Sequence, residues 1–363
     1  MHYVSDLKKT DIPALREFIA KQFHHKYILL HEAFFDWQYL HAPWNKPGQY
    51  SMKVIKHREE VLGYCGFVPL RFLPSKTPFL AAALANLIVD ERVRHFGFGI
   101  QLLQAVTADH PVTYVNGYSD HLRSACSKWS LWSERGNLNR MVGVVHPEKF
   151  DQLGFQIENV SQLIYDTSKP KKLTRVHRFT KFFDKRLNDL FPQNAFGVAR
   201  TSQYLNWRYI DHPLFSYECY TYGPQSRTLG YVVIRKESFA LAGNNSVVAR
   251  ILEYGAVDGY SSALLGELHG LLHDGPVDFI DFFCSLDVWS KQFGEMGYLD
   301  ISASSVTKLP VLFSPVDTTR KAINWMTYVD TSRVPQQLLD ISYPWYLTKG
   351  DGDQDRPNIQ LNV

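Results

Sequence analysis

Residues 84–103 read LANLIVDERVRHFGFGIQLL and join a strand to a helix through a short glycine loop. The run from Leu87 to Val89 is apolar and typical of a strand, and apolar residues then recur at helical spacing from Ile100 until Pro111. Glycines ahead of a helix permit unusual φ angles and a close approach of a ligand to the backbone. The free N–H groups and the positive dipole end of such a helix favour a phosphate. This stretch therefore predicts a phosphate or pyrophosphate site.

An internal repeat surrounds this stretch. FFDWQYLHAP at 34–43 matches YLNWRYIDHP at 204–213, and Val89-Asp90 recurs as Val257-Asp258. These matches, with a repeated Leu-Gly-Tyr between them, keep the same order at offsets of 167 to 170 residues. Chance recurrence would not hold that order, so we infer a duplicated α/β unit. Each copy predicts an aromatic helix, a β-hairpin, a central strand, a helix and a further strand.

The glycine loop resembles the signature of a known superfamily. Arg94-His95-Phe96-Gly97-Phe98-Gly99 is similar to the Gln/Arg-x-x-Gly-x-Gly/Ala motif that follows the fourth strand of the GNAT acyltransferases. The resemblance implies that this loop holds the pyrophosphate of acetyl-CoA and that Leu87, Ile88 and Val89 pair with the pantetheine arm. It also implies an α/β fold of tandem GNAT-like units, each a mixed, mostly antiparallel sheet flanked by helices.

The two copies differ at the loop, and this difference divides the chain. Residues 257–263 lack the arginine and both loop glycines, so we expect the second copy not to bind CoA. We predict an acetyl-CoA-binding unit, a basic linker, a second, degenerate unit that forms the acceptor wall, and a C-terminal tail, at 1–165, 166–188, 189–330 and 331–363. The linker is either a solvated face or an attractor for an anionic ligand. The prolines and glycines of the tail predict irregular structure.

Composition limits the classes of function. A chain of 363 residues with 45% hydrophobic and 21% charged residues predicts a folded protein of two domains. A net charge of +3 argues against a nucleic-acid binder, and the longest apolar run, Phe79 to Val89, is too short to cross a bilayer. The four cysteines contain no Cys-x-x-Cys pair, and the N-terminus lacks the apolar core of a signal peptide. We expect a cytoplasmic protein without a metal, a membrane partner or a nucleic-acid partner.

Acyl transfer to an amine requires a base for the ammonium proton and a means to hold the amine beside the thioester. In the GNAT fold, the ends of the fourth and fifth strands open around the thioester. Asn86, Tyr118, Asp120 and His121 would lie near that opening and are our candidate catalytic residues. Asp120 is alternatively the N-cap of the next helix, and His121 an ordinary helix-start residue. In many GNAT enzymes a tyrosine four residues before a glycine protonates the CoA thiolate. Here the residues four before Gly136, Gly154 and Gly297 are Trp132, Phe150 and Phe293, so that tyrosine is missing from these places.

Candidates for binding the acceptor come mainly from the repeat: Trp37, Tyr39, Arg208, Glu253 and Tyr254. The aromatic residues either pack helix against sheet or line a cleft between the two copies. The arginine either grips a diphosphate or pairs with the nearby Asp211. The last two residues follow the second central strand, where a pseudo-dimer would turn them toward the first copy.

The repeat and the tail together resemble N-acetyltransferases that act on nucleotide-linked amino sugars. This resemblance implies acetyl-CoA as co-substrate, with a dTDP-linked amino-deoxy sugar as acceptor and direct attack of its amine on the thioester, in lipopolysaccharide or capsule biosynthesis. Acylation of a peptide, an aminoacyl group or another small amine is an alternative. A non-catalytic CoA-binding scaffold is a third hypothesis. A homo-oligomer is compatible with all three and required by none.

Overall fold

A computed structural model describes residues 3–23, 27–73, 79–127, 131–154, 163–165, 172–224, 227–241, 243–301, 309–313, 316–319 and 322–355. Within these ranges the strands are Tyr3–Asp6 (β1), Met52–His57 (β2), Glu60–Leu73 (β3), Leu80–Val89 (β4), Val112–Asn116 (β5), Trp132–Asn137 (β6), Asn139–Val144 (β7), Leu173–Val176 (β8), Phe196–Val198 (β9), Glu218–Tyr222 (β10), Gly230–Leu241 (β11), Asn244–Ala256 (β12), Phe279–Cys284 (β13), Leu299–Asp300 (β14), Leu312–Phe313 (β15), Val316–Asp317 (β16), Asn324–Val329 (β17) and Trp345–Tyr346 (β18).

The helices of the described residues lie between these strands. They are Ile12–Gln22 (α1), Glu32–Tyr39 (α2), Phe98–Asp109 (α3), Asp120–Cys126 (α4), Pro147–Gln152 (α5), Lys181–Asp184 (α6), Leu187–Leu190 (α7), Ser202–Leu205 (α8), Ser261–His273 (α9) and Asp287–Glu295 (α10). Short 3-10 turns occur at Lys9–Asp11, Ile28–Leu30, Glu91–Phe96, Gln336–Leu339 and Lys349–Asp351, and a π-helical turn at Asn206–Ile210 continues α8. In this part of the chain, no helix combines the length and the apolar character needed to cross a membrane.

Two large sheets organise the molecule. The first has the strand order β1-β2-β3-β4-β5-β17-β6, with β9 and β18 attached beside β3, and the second has the order β14-β7-β13-β12-β11-β10-β8. Within these two orders, the pairs β4–β5 and β12–β13 are parallel and the other pairs are antiparallel. The architecture is therefore α/β with two mixed, mostly antiparallel sheets, as predicted.

Along their main strand orders, the two sheets exchange one strand each, and the first sheet also carries β9 and β18 from beyond the linker. Strand β7 follows β6 in sequence but pairs with β13 and β14 of the second sheet. Strand β17, from the other half of the chain, pairs with β5 and β6 of the first sheet. Residues 173–176 of the predicted linker form β8, the edge strand of the second sheet. Each sheet is therefore completed by a strand from the other side of the linker.

The repeat extends to an irregularity in the central strands. Ala85 in β4 and Leu252 in β12 are the extra residues of β-bulges against β3 and β11. Parallel pairing to the next strand also ends at equivalent places, at Ala83 in β4 and at Ile251 in β12. Both copies thus have a bulged strand whose end splays away from its parallel neighbour.

Candidate functional site

The glycine loop of the first copy leads into α3 in the predicted manner. Gly97 has φ +72°, a left-handed conformation that favours glycine, and serves as the N-cap of this 12-residue helix. A Cβ at Gly97 would meet nothing within 4 Å, and one at Gly99 would meet only the side chain of Val89, at 3.8 Å. The surface in front of the helix N-terminus is therefore open, as a bound pyrophosphate would require.

The residues that precede these glycines are anchored by hydrogen bonds to Asp90 and Val89, and several of their side chains are exposed to solvent. Asp90 Oδ1 accepts hydrogen bonds from the backbone N and the Nε of Arg92, and these bonds lower the pKa of Asp90 to about 2. Arg94 Nε donates to the carbonyl oxygen of Val89 at 3.2 Å. The side chains of Arg94, His95 and Phe96 are exposed, while Phe98 is buried under the loop.

The predicted pantetheine edge is half-buried. Leu87, Ile88 and Val89 pair with β3 on one side. On the other side, the pairing of β4 with β5 covers only Ala81 to Ala83 in the described residues. The backbone edge beyond the bulge is therefore available to an extended ligand, which would add to the sheet as a strand does.

The four candidate catalytic residues have different surroundings in the structure. Asn86 lies at the splayed end of β4, and its Nδ2 donates to the hydroxyl of Tyr39 at 3.1 Å. The Tyr118 hydroxyl donates to Glu134, and burial raises the pKa of Tyr118. His121 is exposed.

Asp120 lies on the surface at the first residue of α4. Its side chain is 97% exposed, with Oδ1 3.7 Å from the Arg123 guanidinium. The alternative role of N-cap is wrong for Asp120, because Ser119 occupies that position and its Oγ accepts from the backbone N of Leu122. Neither Asp120 nor His121 lines the cavity described next.

The repeated aromatic residues join the two copies. The rings of Trp37 and Trp207 stack with centroids 4.8 Å apart. Each indole Nε1 donates to the other residue's carbonyl oxygen. Tyr39 is buried against Asn86, and its counterpart Tyr209 is buried against Glu253. The aromatic repeat therefore packs the interface, and two of its members also line a cavity there.

A narrow cavity, here called the interface cavity, lies between the two copies beside the bulge of β4. Its volume is about 40 Å³. The first copy contributes a largely apolar wall, the second an aromatic wall with one arginine and one histidine, and the tail three carboxylates. The lining includes Trp37, Val68, Leu70, Ala83, Ala85, Tyr204, Trp207, Arg208, His212, Phe215, Asp351, Asp353 and Asp355.

Arg208 holds the tail against this cavity. Its Nε donates to the carbonyl oxygen of Gly350 at 3.0 Å, and its Nη2 to that of Gly352 at 3.4 Å. The alternative of an ion pair with Asp211 is wrong, because Asp211 pairs with Arg178 at 2.8 Å. Arg208 therefore acts on main-chain oxygens of the tail.

The tail fills the splayed site of the second copy. Thr348 Oγ1 donates to the carbonyl oxygen of the bulge residue Leu252 at 2.6 Å, and the backbone of Thr348 bridges to Cys284 of β13. The Tyr346 hydroxyl donates to the carbonyl oxygen of Tyr254. Residues of the tail therefore occupy the place that corresponds to the open edge of β4 in the first copy.

Glu253 and Tyr254 are both buried in this filled site. Glu253 lies between Arg200, at 3.1 Å, and the hydroxyl of Tyr209, at 3.0 Å, and burial raises the pKa of Glu253 to about 7. The Tyr254 hydroxyl lies 2.5 Å from the Oγ of Ser261, inside the second copy. The structure thus places neither residue on the wall of the interface cavity.

From there the tail continues to the end of β5 in the first copy. The Tyr114 hydroxyl donates to the carbonyl oxygen of Asp351 at 2.6 Å, and Gln354 Nε2 donates to that of Asn116 at 3.2 Å. The irregular tail predicted from the sequence is thus a buried connection between the two sites. Its carboxylates, in the motif GDGDQD at 350–355, are site residues that the sequence reasoning missed.

Comparisons with known proteins identify the fold. A GCN5-related N-acetyltransferase from Anabaena variabilis ATCC 29413 is 12% identical and aligns over 90% of this chain and 72% of its own, with a TM-score of 0.54. One from Kribbella flavida is 14% identical, with coverages of 91% and 72% and a TM-score of 0.51. Saccharomyces cerevisiae N-myristoyltransferase with bound myristoyl-CoA is 10% identical, with coverages of 90% and 82% and a TM-score of 0.50. No family model and no curated protein sequence matches.

At these identities the similarity establishes the fold alone. The chain has the α/β fold of tandem GNAT-like units, and the fold prediction is confirmed. Within the described residues, no three His, Cys, Asp or Glu side chains are grouped in a way that would hold a metal ion.

Proposed function

We propose that the chain is an acyl-CoA-dependent N-acyltransferase whose first copy binds acetyl-CoA. The observation that carries this proposal is the contrast between two copies of one bulged strand. Beyond Ala85, the edge of β4 is half-buried and leads to the open glycines of the loop. Beyond Leu252, the matching place is filled by Thr348 and its neighbours. An open strand edge and an open helix N-terminus suit a pantetheine arm and a pyrophosphate, respectively.

The proposed acceptor is the amino group of a nucleotide-linked, specifically a dTDP-linked, amino-deoxy sugar. A cavity of about 40 Å³ has room for little more than an amino group and the carbon that bears it. The remainder of the sugar and the nucleotide would therefore lie outside it. The carboxylate of Asp353 in the lining supports an acceptor that presents an ammonium group to the cavity.

We assign Asp353 to collecting the proton of the acceptor ammonium. Its half-buried carboxylate lines the interface cavity, and its Oδ1 accepts a hydrogen bond of 2.8 Å from Gln354 Nε2. The other two tail carboxylates, on Asp351 and Asp355, each lie beside a buried arginine. A carboxylate held this way contributes as a general base by taking the proton as the amine reacts.

The proposed reaction takes place between acetyl-CoA and the acceptor amine, which the residues described above would hold together. Acetyl-CoA supplies the activated acyl group as a thioester. The ammonium group first passes one proton to Asp353. The amine nitrogen then forms a bond to the acyl carbon, the carbon–sulfur bond breaks with its electron pair going to sulfur, and the second proton lost from nitrogen passes to that sulfur, which gives the amide and CoA thiol. Asp353 and the bulge residue Ala85 line the same narrow cavity, so that one acceptor can lie beside both the base and the start of the open strand edge.

Release of free thiol tests the proposal. Purified protein is mixed with acetyl-CoA and a panel of dTDP- and UDP-linked amino sugars, small peptides, aminoacyl esters and simple amines, and CoA release is followed with a thiol reagent. We expect turnover with a dTDP-linked amino sugar. Turnover only with a peptide, an aminoacyl ester or another amine would retain the enzyme and overturn the acceptor. Binding of acetyl-CoA by calorimetry without turnover on any acceptor would support the scaffold hypothesis instead.

A further inference from the structure

A large cleft, in addition to the interface cavity, lies where the second copy meets β6 and β17 of the first sheet. It opens between the ends of β12 and β13, where Val257-Asp258 and Ser285 correspond to Val89-Asp90 and Gly117 of the first copy. The tail strand with Trp345 forms its floor, and α10 with Trp289 forms one wall. Its volume of about 740 Å³ lies within the range of small-molecule sites. The duplication has therefore preserved an opening here while the tail has filled the part nearest the bulge.

Three polar atoms in the lining of this cleft are buried without a hydrogen-bond partner among the described residues. They are the indole Nε1 atoms of Trp289 and Trp345 and the Oε1 of Gln292. Native proteins rarely leave such atoms unpaired, because each costs about 1–3 kcal/mol when it is buried alone. Two donors and one acceptor that belong to one cleft indicate that a polar ligand completes their hydrogen bonds.

The charges of the cleft exclude a phosphate-bearing ligand. Arg135 is the cation in the described lining, and its guanidinium is already engaged. It donates to Thr327 Oγ1 at 2.9 Å and to the carbonyl oxygens of Leu338 and Asp340, and its face lies over the ring of Trp345. The remaining charges are carboxylates, among them the exposed Asp258. A diphosphate or CoA would meet negative charge without a free partner.

The residues that remain have the chemistry of carbohydrate recognition. Carboxylates accept hydrogen bonds from ring hydroxyls, carboxamides both accept and donate them, and aromatic faces pack against the apolar face of a sugar ring. The lining supplies both sets, with Asp258, Asn188 and Gln292 as polar groups and the half-buried Tyr343 as an aromatic face. Trp289 is buried and contributes its N–H rather than its face. We propose that this cleft is a second ligand site that binds a neutral saccharide. The inference does not depend on acyl transfer, because it concerns a cleft separate from the glycine loop.

Titration of the full chain with neutral sugars tests this site. Glucose, galactose, N-acetylglucosamine and maltose are each added while tryptophan fluorescence is recorded, and calorimetry confirms any change. We expect saturable binding of at least one of them, and no competition from CoA. Gln292→Ala and Asp258→Ala should each weaken that binding about tenfold, the effect of about 1.4 kcal/mol for a lost hydrogen bond. Trp289→Phe keeps the packing but removes the N–H and should also weaken binding.

A matched control and the acyl-transfer assay separate the outcomes. Gln152→Ala changes an exposed glutamine outside the cleft and should bind the sugar as the native chain does. Retained thiol release by the Gln292 and Asp258 variants would show that the loss is confined to the second site. The proposal would be overturned if none of the four sugars binds, or if all variants bind a sugar equally well. It would also be overturned if CoA displaces the sugar, or if spermidine, added as a cationic probe, binds in place of the sugars. If the native chain shows no acyl transfer, only the proposed function is overturned, and the proposal of a saccharide site is unaffected.

Discussion

Trp37 and Trp207 form a reciprocal pair across the interface of the two copies. Trp37 Nε1 donates to the carbonyl oxygen of Trp207 at 2.8 Å, and Trp207 Nε1 donates to that of Trp37 at 3.0 Å. Their rings stack at an interplanar angle of 16°. The pair relates the copies by an approximate twofold axis, so that one duplicated motif satisfies its own hydrogen bonds.

This pair predicts a measurable contribution to stability. Trp207→Phe keeps most of the ring packing but removes one N–H and leaves the Trp37 carbonyl oxygen unpaired. We expect a loss of about 1–3 kcal/mol in the free energy of unfolding, because a buried acceptor without a partner is costly. Chemical denaturation followed by circular dichroism measures it. Trp44→Phe, at a half-buried indole outside the pair, is the control; an equal loss there would contradict the specific role of the reciprocal bonds.

A second prediction concerns the glycine loop. Gly97→Ala adds a methyl group at φ +72° in open space, so it strains the backbone and crowds the helix N-terminus. We expect a raised acetyl-CoA Kd by calorimetry. Gly259→Ala is closely matched, with φ +81° and nothing within 4 Å of its Cβ, but it lies in the second copy. The assignment is supported if both variants change Tm similarly but only Gly97→Ala changes the affinity for CoA. An unchanged CoA affinity for Gly97→Ala rejects it.

The tail carboxylate supplies a third prediction. Asp353→Asn removes the proposed base and should lower kcat by about 10²–10⁴-fold, the usual contribution of general base catalysis, with an unchanged acetyl-CoA KM. Asp120→Asn serves as the control, since its side chain is 97% exposed. Steady-state kinetics across pH distinguish a base from a merely structural residue. If Asp353→Asn retains the native rate and pH profile, the assignment fails, and a large loss in Asp120→Asn would restore the first candidate.

Burial of Glu253 predicts a pH dependence of stability. Burial raises its pKa to about 7, above the usual value of 4.5, so the folded protein binds a proton that the unfolded chain releases between these values. The contribution of this group to stability is therefore greatest below about pH 4.5 and declines as the pH rises to about 7. Glu253→Gln removes the titration. We expect the native chain to lose free energy of unfolding relative to this variant between pH 5 and pH 8, and parallel curves would contradict the assignment.

The features that the sequence predicts correctly are those that depend on residues close together in the chain. The strand, loop and helix at 84–103 are encoded by local periodicity and two glycines, and the repeat at 34–43 and 204–213 by matching letters. The tail was not predictable in this way, because its partners are distant. Gln354 bonds to Asn116, 238 residues away, and a motif of glycines and aspartates predicts only irregular backbone.

The sequence also does not indicate which of the two sheets β7 and β17 join. Both are strands of six residues with the last five buried, so neither has an alternating pattern that would distinguish one sheet from the other. Arg208 illustrates the same limit at the level of one side chain. Sequence distance favoured Asp211, three residues on, whereas the folded chain brings the carbonyl oxygens of Gly350 and Gly352 closer.

The exchange of β7 and β17 has a consequence for the ancestry and the dissection of this protein. A homodimer of a single unit, in which each protomer lends its last strand to its partner, acquires this topology when the two chains are joined end to end. The present chain thus retains the architecture of a swapped dimer in one covalent polypeptide. Cutting between the copies would leave each sheet missing an interior strand and exposing two unpaired edges, so the halves are expected to fold only when they are produced together.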